Sequence, residues 1–323
     1  MRQAILELLK KHQEIFISGE EISKRFGISR TAVWKHINRL KEEGYDIESV
    51  TKLGYKLKEI PDTLLPEEIK SRLKTKVIGQ EIHYFPEIVS TNSYCKTLGD
   101  KGVSEGAAVI AESQQNGRGR FGRTWISPPQ KGLYFSLLLR PKISPQEASR
   151  LIFLTAVTVA CVLDTHFNLK AGIKWPNDLI LNGKKFAGIL LEMKAEAEQV
   201  DYLVLGVGIN VNNKPEEFPG DLAKTATSLF IEKGLTLSRV ELLTTILNTL
   251  EKAYFNYLNN GFGRVLELWK KYNITLGKRV TVTNWQTNWS GLAKDINPYG
   301  GLILVLPDGT EKTMYSGDVT LKV

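Results

Sequence analysis

The sequence predicts an α+β protein of several domains: an N-terminal helix-turn-helix with a β-hairpin wing, a central α/β domain and a small C-terminal β-barrel. Three observations predict this order. Helix-capping residues fill the first 60 residues, strands and helices alternate from about residue 77, and short alternating strands follow residue 276. A chain of 323 residues exceeds one ordinary domain, so two or three domains are expected.

The composition is that of a soluble chain with a basic balance. Hydrophobic residues make up 42%, charged residues 24%, and the net charge is +8, which favours a polyanionic partner such as nucleic acid. Cys95 and Cys161 lack C-x-x-C spacing, which argues against a zinc site and fits a reducing cytosol. The start has no apolar signal-peptide core, and the apolar run 151–163 is shorter than the roughly 18 residues of a membrane helix. We therefore expect a cytoplasmic protein without a membrane segment.

Residues 1–60 contain the signals of two helices joined by a tight turn. The capping box Ser18 to Glu21 predicts a helix that begins near Gly19, and Gly27 is suited to end it. Ser29 can cap a second helix, which Gly44 ends. This arrangement is a helix-turn-helix.

Charge and the following hairpin point to DNA binding by this domain. Residues 23–41 contain six Lys and Arg side chains and no acidic one, and alternation over 45–57 predicts a wing that turns near 52–54. The alternative is a solvated basic helix in a packing domain. The side chains predicted to contact bases or phosphates are Ser29, Arg30, Thr31, Trp34, Lys35, His36, Arg39 and Lys52.

Beyond this domain, prolines predict a linker over 61–80, and a central domain is expected over 81–273 and a C-terminal domain over 274–323. The capping box Ser144 to Glu147 is expected to open the apolar helix that runs through Leu163, and Asn182-Gly183 predicts a hairpin turn. Strands of the central domain are expected at 82–85, 106–112, 133–139, 178–181, 185–192 and 201–210.

A glycine- and arginine-rich loop at 114–125 carries a dinucleotide-binding spacing, G-x-G-x-x-G. A Rossmann loop needs a helix directly after the glycines, but Ser127-Pro-Pro-Gln-Lys-Gly132 permits none, and no Walker A sequence is present. Arg118, Arg120 and Arg123 instead suit carboxylate and phosphate groups, because guanidinium binds both in a bidentate manner. A solvated basic loop or a second DNA contact is the alternative.

Five motifs occur in a fixed order along the chain and resemble those of biotin protein ligases. With the N-terminal winged helix, the chain resembles the bifunctional bacterial form, the biotin operon repressor. The resemblance implies a class II synthetase-like ligase domain with a mixed sheet and an SH3-like C-terminal barrel. The motifs are Ser90-Thr-Asn92, the loop Gln114 to Trp125, Lys174-Trp-Pro-Asn-Asp178, Lys184 to Glu192, and Gly206-Val-Gly-Ile-Asn-Val211.

The resemblance implies a reaction in two steps. Biotin and ATP, the latter with Mg²⁺ on its phosphates, form biotinyl-5′-AMP, and a lysine of a biotin carboxyl carrier protein then takes the biotin. No metal site built from protein side chains is expected. The adenylate-bound form is expected to be a homodimer that binds operator DNA and represses biotin genes. The alternatives are a lipoate-type protein ligase and a repressor that senses biotin without catalysis.

The same resemblance implies roles for individual residues. The expected catalytic residues are Lys185, Arg118, Arg120 and Asp178. The expected biotin-binding residues are Ser90, Thr91, Asn92, Gln114, Gly117, Arg118, Gly119, Arg120, Lys185, Gly188 and Gly206. The expected adenylate or ATP contacts are Arg120, Arg123, Trp125, Asn177, Lys185, Asn210 and Ser228.

Three assignments leave alternatives open. Lys184 competes with Lys185 by position, and the K-x-A-G spacing favours Lys185. Asp178 could orient or deprotonate the incoming amine, or pair with a loop arginine. Phe121 stands where some relatives carry arginine, and it could stack on the adenylate or cover it.

Overall fold

The computed structural model describes residues 1–196, 198–284 and 287–321. The chain divides into two compact units, Met1–Thr63 and Leu64–Val323. Each unit folds around its own set of buried apolar side chains.

The first unit is the predicted winged helix-turn-helix. Three helices, α1 Arg2–Lys11, α2 Gly19–Phe26 and α3 Arg30–Glu42, precede an antiparallel hairpin of β1 Asp46–Val50 and β2 Gly54–Glu59. Apolar residues at helical spacing bury one face of each helix, which joins the helices and the hairpin in one core. Fully buried members of this core are Ile5, Ile22, Val33, Ile37 and Leu57.

The capping residues act as predicted in this unit. The side chains of Ser18 and Ser29 accept the backbone N–H groups of Glu21 and Ala32 at 3.0 and 3.1 Å. Gly27 ends α2 with φ of 63°, in the left-handed region that glycine adopts without steric cost. The tight turn therefore follows from the local sequence.

The second unit contains a seven-stranded mixed sheet in the order β3-β4-β5-β9-β8-β7-β6. Strands β3 and β4 are parallel, and the other neighbours are antiparallel. The mixed sheet that the family resemblance implies is confirmed. The strands are β3 Ile82–Phe85, β4 Ala108–Ala111, β5 Gly132–Leu139, β6 Gly172–Lys174, β7 Asp178–Leu181, β8 Lys184–Glu196 and β9 Gln199–Asn210.

Helices cover this sheet. The most apolar of them, Arg150–Phe167, is the buried helix that the sequence predicts. It is the one described helix that is long and apolar enough to cross a membrane, and 67% of its most apolar window is buried inside the unit. It packs against the helices Arg239–Asn260 and Gly263–Tyr272. The helices are α4 Pro66–Lys70, α5 Thr91–Asp100, α6 Arg150–Phe167, α7 Leu222–Thr225, α8 Leu229–Lys233, α9 Arg239–Asn260 and α10 Gly263–Tyr272.

The start of α6 differs from the prediction. The capping box of Ser144 and Glu147 forms, but it opens a 3₁₀ turn over Pro145–Glu147, and the α-helix begins at Arg150. The N–H of Leu151 bonds to the carbonyl of Ala148 at 3.1 Å, so the chain is still wound with three-residue spacing there. Capping chemistry marks where winding begins but does not fix the type of the first turn.

The predicted linker over 61–80 is corrected to a much shorter connection. Leu64, Ile69 and Ile78 are fully buried in the core of the second unit. Pro66 does not interrupt structure there, because it occupies the first turn of α4, where its missing N–H costs nothing. Glu251 of α9 accepts the N–H groups of residues 76–78 at 2.7 to 2.8 Å, a tertiary contact that no local pattern indicates.

A five-stranded antiparallel sheet forms the C-terminal part of the second unit, in the order β13-β12-β11-β10-β14. Its buried residues, including Val280 and Leu302, belong to the same apolar cluster as the seven-stranded sheet. The expected boundary at 273/274 therefore lies inside one compact unit. The strands are β10 Arg279–Thr283, β11 Asn288–Ile296, β12 Leu302–Val305, β13 Glu311–Met314 and β14 Asp318–Leu321.

Candidate active site

A cavity of about 490 Å³ lies in the second unit, along β8, β9 and the glycine-arginine loop. Residues at the start of α5 and Asp318 of β14 are among those that line it. Most of the predicted site residues line it, although they come from segments far apart in sequence. They are Ser90, Thr91, Asn92, Gln114, Arg118, Gly119, Arg120, Arg123, Trp125, Asn177, Asp178, Lys185, Gly188, Gly206 and Asn210.

One end of this cavity is neutral and polar. Gln114 Oε1 accepts the N–H of Thr91 at 2.9 Å, and Gln114 Nε2 donates to Ser127 Oγ at 3.0 Å. Ser90 is 2% exposed at the N-cap of α5, yet its hydroxyl makes no capping hydrogen bond. The four side chains named here are uncharged, so this end offers neutral hydrogen-bond donors and acceptors.

Ser136 supports the neutral end and was missed by sequence reasoning. It is fully buried on β5, where its Oγ lies 2.8 Å from Thr91 Oγ1 and donates to Asn92 Oδ1 at 2.6 Å. The available signal was a hydroxyl inside the otherwise apolar strand LYFSLLL. A buried polar group needs a hydrogen-bond partner, so such a residue marks a polar contact within the core.

Two glycines of β9 keep the cavity open. A Cβ at Gly206 would lie 2.0 Å from Asn92 Oδ1, and a Cβ at Gly208 would lie 2.7 Å from the Trp125 indole. The close approach of Asn92 therefore requires glycine at 206, as the family resemblance suggested. Gly208 was not predicted, although it belongs to the same quoted motif.

The opposite end of the cavity is cationic. Lys185 Nζ lies 2.6 Å from Asp178 Oδ1, and Lys174 Nζ lies 3.7 Å from Asp178 Oδ2. Asp178 therefore pairs with two lysines rather than with a loop arginine. Lys184 Nζ instead bonds to the carbonyl of Ala223 at 3.3 Å and does not line the cavity, so Lys185 is the one of these two lysines that reaches the site.

The Asn182-Gly183 turn places the side chains of Asp178 and Lys185 next to each other. Both residues have positive φ, 46° and 80°, as a two-residue hairpin turn requires. The turn joins β7 to β8, so that Asp178 pairs with Gly188 and Lys185 lies on the adjacent strand. Lys185 Nζ also lies 5.5 Å from the centre of the Trp125 ring, on the cavity wall.

Arg120 and Arg123 connect the loop to the C-terminal five-stranded sheet. Arg120 Nη1 donates to Asn177 Oδ1 at 3.1 Å and to the carbonyl of Gly317 at 3.2 Å, and Arg123 forms a short ion pair with Asp318. Burial lowers the pKa of Arg120, while Asp318 and Asp178 oppose that shift. Nothing in the local sequence indicates Gly317 and Asp318 as partners, because they lie some 195 positions further along the chain.

Arg118 and Phe121 complete the loop. Arg118 is exposed at the cavity rim. The guanidinium carbon of Arg120 lies 4.8 Å from the centre of the Phe121 ring, and Phe121 has φ of 55°. Phe121 thus packs against Arg120, and its two expected roles at the adenylate stay predictions.

Two predicted contacts lie outside the cavity lining. A Cβ at Gly117 would lie 2.4 Å from the carbonyl of Trp125, so glycine is needed there for the loop to close on itself. Ser228 is fully buried; its Oγ accepts the N–H of Ile231 at 3.2 Å and donates to the carbonyl of Asn213 at 2.6 Å. Ser228 therefore caps α8, since its hydroxyl is committed to protein partners.

In the first unit, most of the predicted DNA-contacting side chains are exposed, either on α3 or at the tip of the wing. Arg30, Thr31, Lys35 and Arg39 are exposed, and Trp34 is 54% exposed despite its size. His36 is half-buried. Lys52 lies exposed at the tip of the hairpin with φ of 73°.

Across residues 1–196, 198–284 and 287–321, no group of three His, Cys, Asp or Glu side chains is placed to hold a metal ion. The charged groups that line the cavity are instead arginines, lysines, two aspartates and Glu217.

Comparison with known proteins identifies the family. Family models match in three places: the biotin/lipoate A/B protein ligase family at residues 84–210, a helix-turn-helix domain at 2–56 and the biotin protein ligase C-terminal domain at 275–322. The bifunctional ligase/repressor of Bacillus subtilis is 39% identical over 321 residues, 99% of this chain and 98% of that protein. This chain belongs to the bifunctional biotin protein ligase and repressor family. The Escherichia coli ligase/repressor is 32% identical over 95% of this chain and 93% of its own length.

A solved structure of this ligase family extends the comparison to the fold. The biotin protein ligase of Aquifex aeolicus, solved with biotin and ATP, has a TM-score of 0.65 and 28% identity. It covers 75% of this chain and 99% of its own length. The family resemblance and the order of a helix-turn-helix, a mixed-sheet ligase fold and a C-terminal β domain are thereby confirmed.

Proposed function

We propose that this ligase activates biotin with ATP and transfers it to a lysine on the biotin carboxyl carrier domain of a biotin-dependent enzyme. The observation that carries the proposal is one cavity with a neutral polar end and a cationic end. Biotin has matching parts, a neutral ureido ring and a carboxylate, joined by an apolar tail. Apolar walls for that tail come from Trp125, Ile189 and Leu190. The relative solved with biotin and ATP supports the choice of substrates.

In the first step, a carboxylate oxygen of biotin attacks the α-phosphorus of ATP, and the bond from that phosphorus to the bridging oxygen breaks to release pyrophosphate. Negative charges must approach one another in this step, so fixed cations lower its barrier. Lys185, Arg118 and Arg120 supply them from β8 and from the loop. Mg²⁺ would enter on the ATP phosphates and neutralise part of their charge. We assign the adenylate to the part of the cavity that is lined by Arg123, Asn177 and Asn210.

In the second step, the amine nitrogen of the acceptor lysine attacks the acyl carbon, and the carbon–oxygen bond to AMP breaks. Asp178 is the cavity carboxylate that contacts Lys185, and it already binds the ammonium of that lysine at 2.6 Å. We propose that Asp178 orients the incoming amine, which must lose a proton as the amide forms.

The test is transfer of labelled biotin to a biotin-acceptor domain in the presence of Mg-ATP, with lipoate in a parallel reaction. We expect biotin transfer that depends on ATP and falls about 10²- to 10³-fold in Lys185→Ala, because a preorganised charge is lost. Lys184→Ala is the matched control and should keep most of the activity, since Lys184 bonds outside the cavity. Biotin binding without transfer would favour a sensing repressor, and transfer of lipoate alone would favour a lipoate ligase.

The first unit carries the second proposed activity, repression of biotin genes. The adenylate-bound ligase is proposed to form a homodimer, in which two α3 helices enter successive major grooves of an operator with two half-sites. The exposed basic surface of α3 and the wing, together with the two ligase/repressor relatives, supports this activity. Use of ATP and DNA by the same chain supports a cytoplasmic location.

Selection of bound sequences from random duplex DNA, with and without biotin plus Mg-ATP, tests this activity, and sedimentation in the same mixtures reports the dimer. We expect a two-half-site sequence and dimer formation when the adenylate is made. If the protein stays monomeric without biotin and still enriches the same sequence, the proposed coupling between the two activities is contradicted.

A further inference from the structure

The carboxylate of Asp178 has two ammonium partners in the cavity. Lys185 Nζ lies 2.6 Å from Asp178 Oδ1, and Lys174 Nζ lies 3.7 Å from Asp178 Oδ2. All three side chains line the cavity, and that of Asp178 is the most buried of them at 18% exposed. The two proposed steps use Lys185 and Asp178 but give Lys174 no role. One carboxylate is thus paired with one more positive charge than it balances.

The fold holds Lys174 opposite Asp178. The two residues pair directly across the antiparallel strands β6 and β7, and residues 175–177 join these strands. Trp175 anchors the connection, because its N–H donates to Thr275 Oγ1 at 2.9 Å and its indole Nε1 donates to the carbonyl of Gly300 at 3.0 Å. Residues directly opposite in a sheet project to the same face, so the contact follows from the strand register. At 3.7 Å, Lys174 acts on Asp178 through its charge rather than through a hydrogen bond.

The acceptor lysine must reach the acyl carbon as a neutral amine. A free lysine has a pKa of about 10.4, so at neutral pH nearly all of it is ammonium, which has no lone pair for attack. A carboxylate beside the ammonium favours that charged form, whereas a second positive charge disfavours it. Asp178 alone would therefore orient the acceptor lysine and at the same time keep it protonated.

We propose that Lys174 is a positioning residue for the transfer step, whose charge balances Asp178 so that this carboxylate orients the acceptor lysine without holding its proton. When Lys185 contacts the intermediate, as the proposed function assigns, Lys174 still balances the charge of Asp178. A positive charge nearby makes an ammonium release its proton at lower pH, so Lys174 lowers the pH at which the bound acceptor becomes reactive. The inference rests on the proposed function, because it assigns the attack to a lysine amine.

Other charged groups around the cavity stay the same when Lys174 is replaced. Burial lowers the pKa of Arg120, while the charges of Asp318 and Asp178 oppose that shift, so the glycine-arginine loop lies within reach of the same carboxylate. A difference between the wild type and a Lys174 variant therefore reports the charge at position 174. The remaining charged residues of the lining are Arg118, Arg123, Lys185, Glu217 and Lys224.

The test is the pH dependence of transfer from preformed biotinyl-5′-AMP to a saturating biotin-acceptor domain, measured in a single turnover by the full-length protein. Saturation makes the profile report groups in the bound complex, and preformed adenylate removes the first step from the measurement. Lys174→Met and Lys174→Gln both remove the charge. We expect the midpoint of the profile to rise by about one pH unit in each, so that the rate falls about tenfold below the midpoint and recovers at high pH.

Two controls separate charge at this position from other effects. Lys174→Arg keeps the charge, and its midpoint should stay within about 0.3 of the wild-type value. Lys184→Met removes an equal charge from a neighbouring lysine, whose ammonium bonds to the carbonyl of Ala223 and does not line the cavity. Its profile should match that of the wild type. Thermal unfolding of each variant identifies the folded proteins, and either neutral variant of Lys174 is sufficient for the test.

The remaining outcomes overturn the inference. An unchanged midpoint in a folded neutral variant means that Lys174 does not control the protonation of the acceptor, and an equal rate loss at every pH means that its role is structural. An equal shift in Lys184→Met would assign the effect to net charge. Absence of transfer by the wild type removes the proposed function itself, and only that outcome involves the wild type.

Discussion

At the scale of single residues, position in the cavity separates side chains of the same type. Lys185 and Lys184 are neighbours in sequence, yet one contacts Asp178 in the cavity and the other bonds to a backbone carbonyl outside it. Arg120 is held by Asn177 and Gly317, whereas Arg118 is exposed. Charge alone therefore does not define a role, and the partners of each group do.

Arg120 is predicted to retain the intermediate. Its guanidinium lines the cavity and donates to Asn177 and to the carbonyl of Gly317, so Arg120→Gly should release adenylate about 10- to 100-fold faster, equivalent to a charged hydrogen bond of about 1.5–3 kcal/mol. Released adenylate should label lysines of bystander proteins, which a lysine-labelling assay with added albumin measures.

Arg264→Gly is the matched control, because Arg264 is 61% exposed and pairs with the exposed Glu267 outside the cavity lining. Exposed pairs contribute about 0–1 kcal/mol, so this variant should leak less than Arg120→Gly. Unchanged lysine selectivity in Arg120→Gly would contradict the retention role.

At the scale of elements, the sequence predicts capping well and the type of the first turn less well. Ser29 caps α3 and Ser18 caps α2 as expected, because N-cap bonds form within three residues. The predicted start of α6 is wrong because a 3₁₀ turn precedes the helix, and the predicted end of the linker is wrong because part of that segment is buried. Both features depend on what packs against the chain. Local chemistry fixes where elements begin more firmly than how they are packed.

The cap of α3 should matter for DNA binding. Ser29→Ala removes the bond to Ala32, which is expected to cost about 1 kcal/mol and to fray the end of α3 that carries Arg30 and Thr31. Hydrogen exchange of the α3 amides should speed up, and affinity for the selected operator should fall, with ligation unchanged.

Ser18→Ala provides the comparison, because it removes an equivalent cap from α2 at 3.0 Å. It should destabilise the first unit by a similar amount and weaken DNA binding less. Equal loss of DNA affinity in both variants would mean that Ser29 acts through stability alone.

At the scale of the whole molecule, the second unit is held together by long-range contacts at the edge of the site. Glu112, next to the glycine-arginine loop, accepts from Arg239 of α9 at 2.7 Å and from the N–H of Leu64 at 2.7 Å. The side chains of Arg239 and Glu112 are 1% and 6% exposed. One buried carboxylate therefore connects the start of the unit, its sheet and its long helix.

Breaking this pair should destabilise the second unit strongly. Glu112→Gln leaves a charge of Arg239 facing a neutral amide in the core, and loss of one partner of a buried pair costs about 3–5 kcal/mol. Chemical denaturation followed by tryptophan fluorescence measures the change in the free energy of unfolding.

Glu311→Gln is the control, since its pair with Lys294 has side chains 50% and 56% exposed and should cost at most about 1 kcal/mol. A loss in Glu112→Gln no larger than in this control would show that the buried pair is not a major source of stability.

The sequence by itself determined the helix caps, the hairpin turns, the order of the domains and the motifs that carry the family resemblance. These features depend on residues close together in the chain, so a linear pattern contains them. Only the tertiary structure brought Ser136 to Asn92 across 44 positions and Asp318 to Arg123 across 195. The register of the large sheet and the packing of the C-terminal sheet decide such contacts, and no spacing in the sequence encodes either of them.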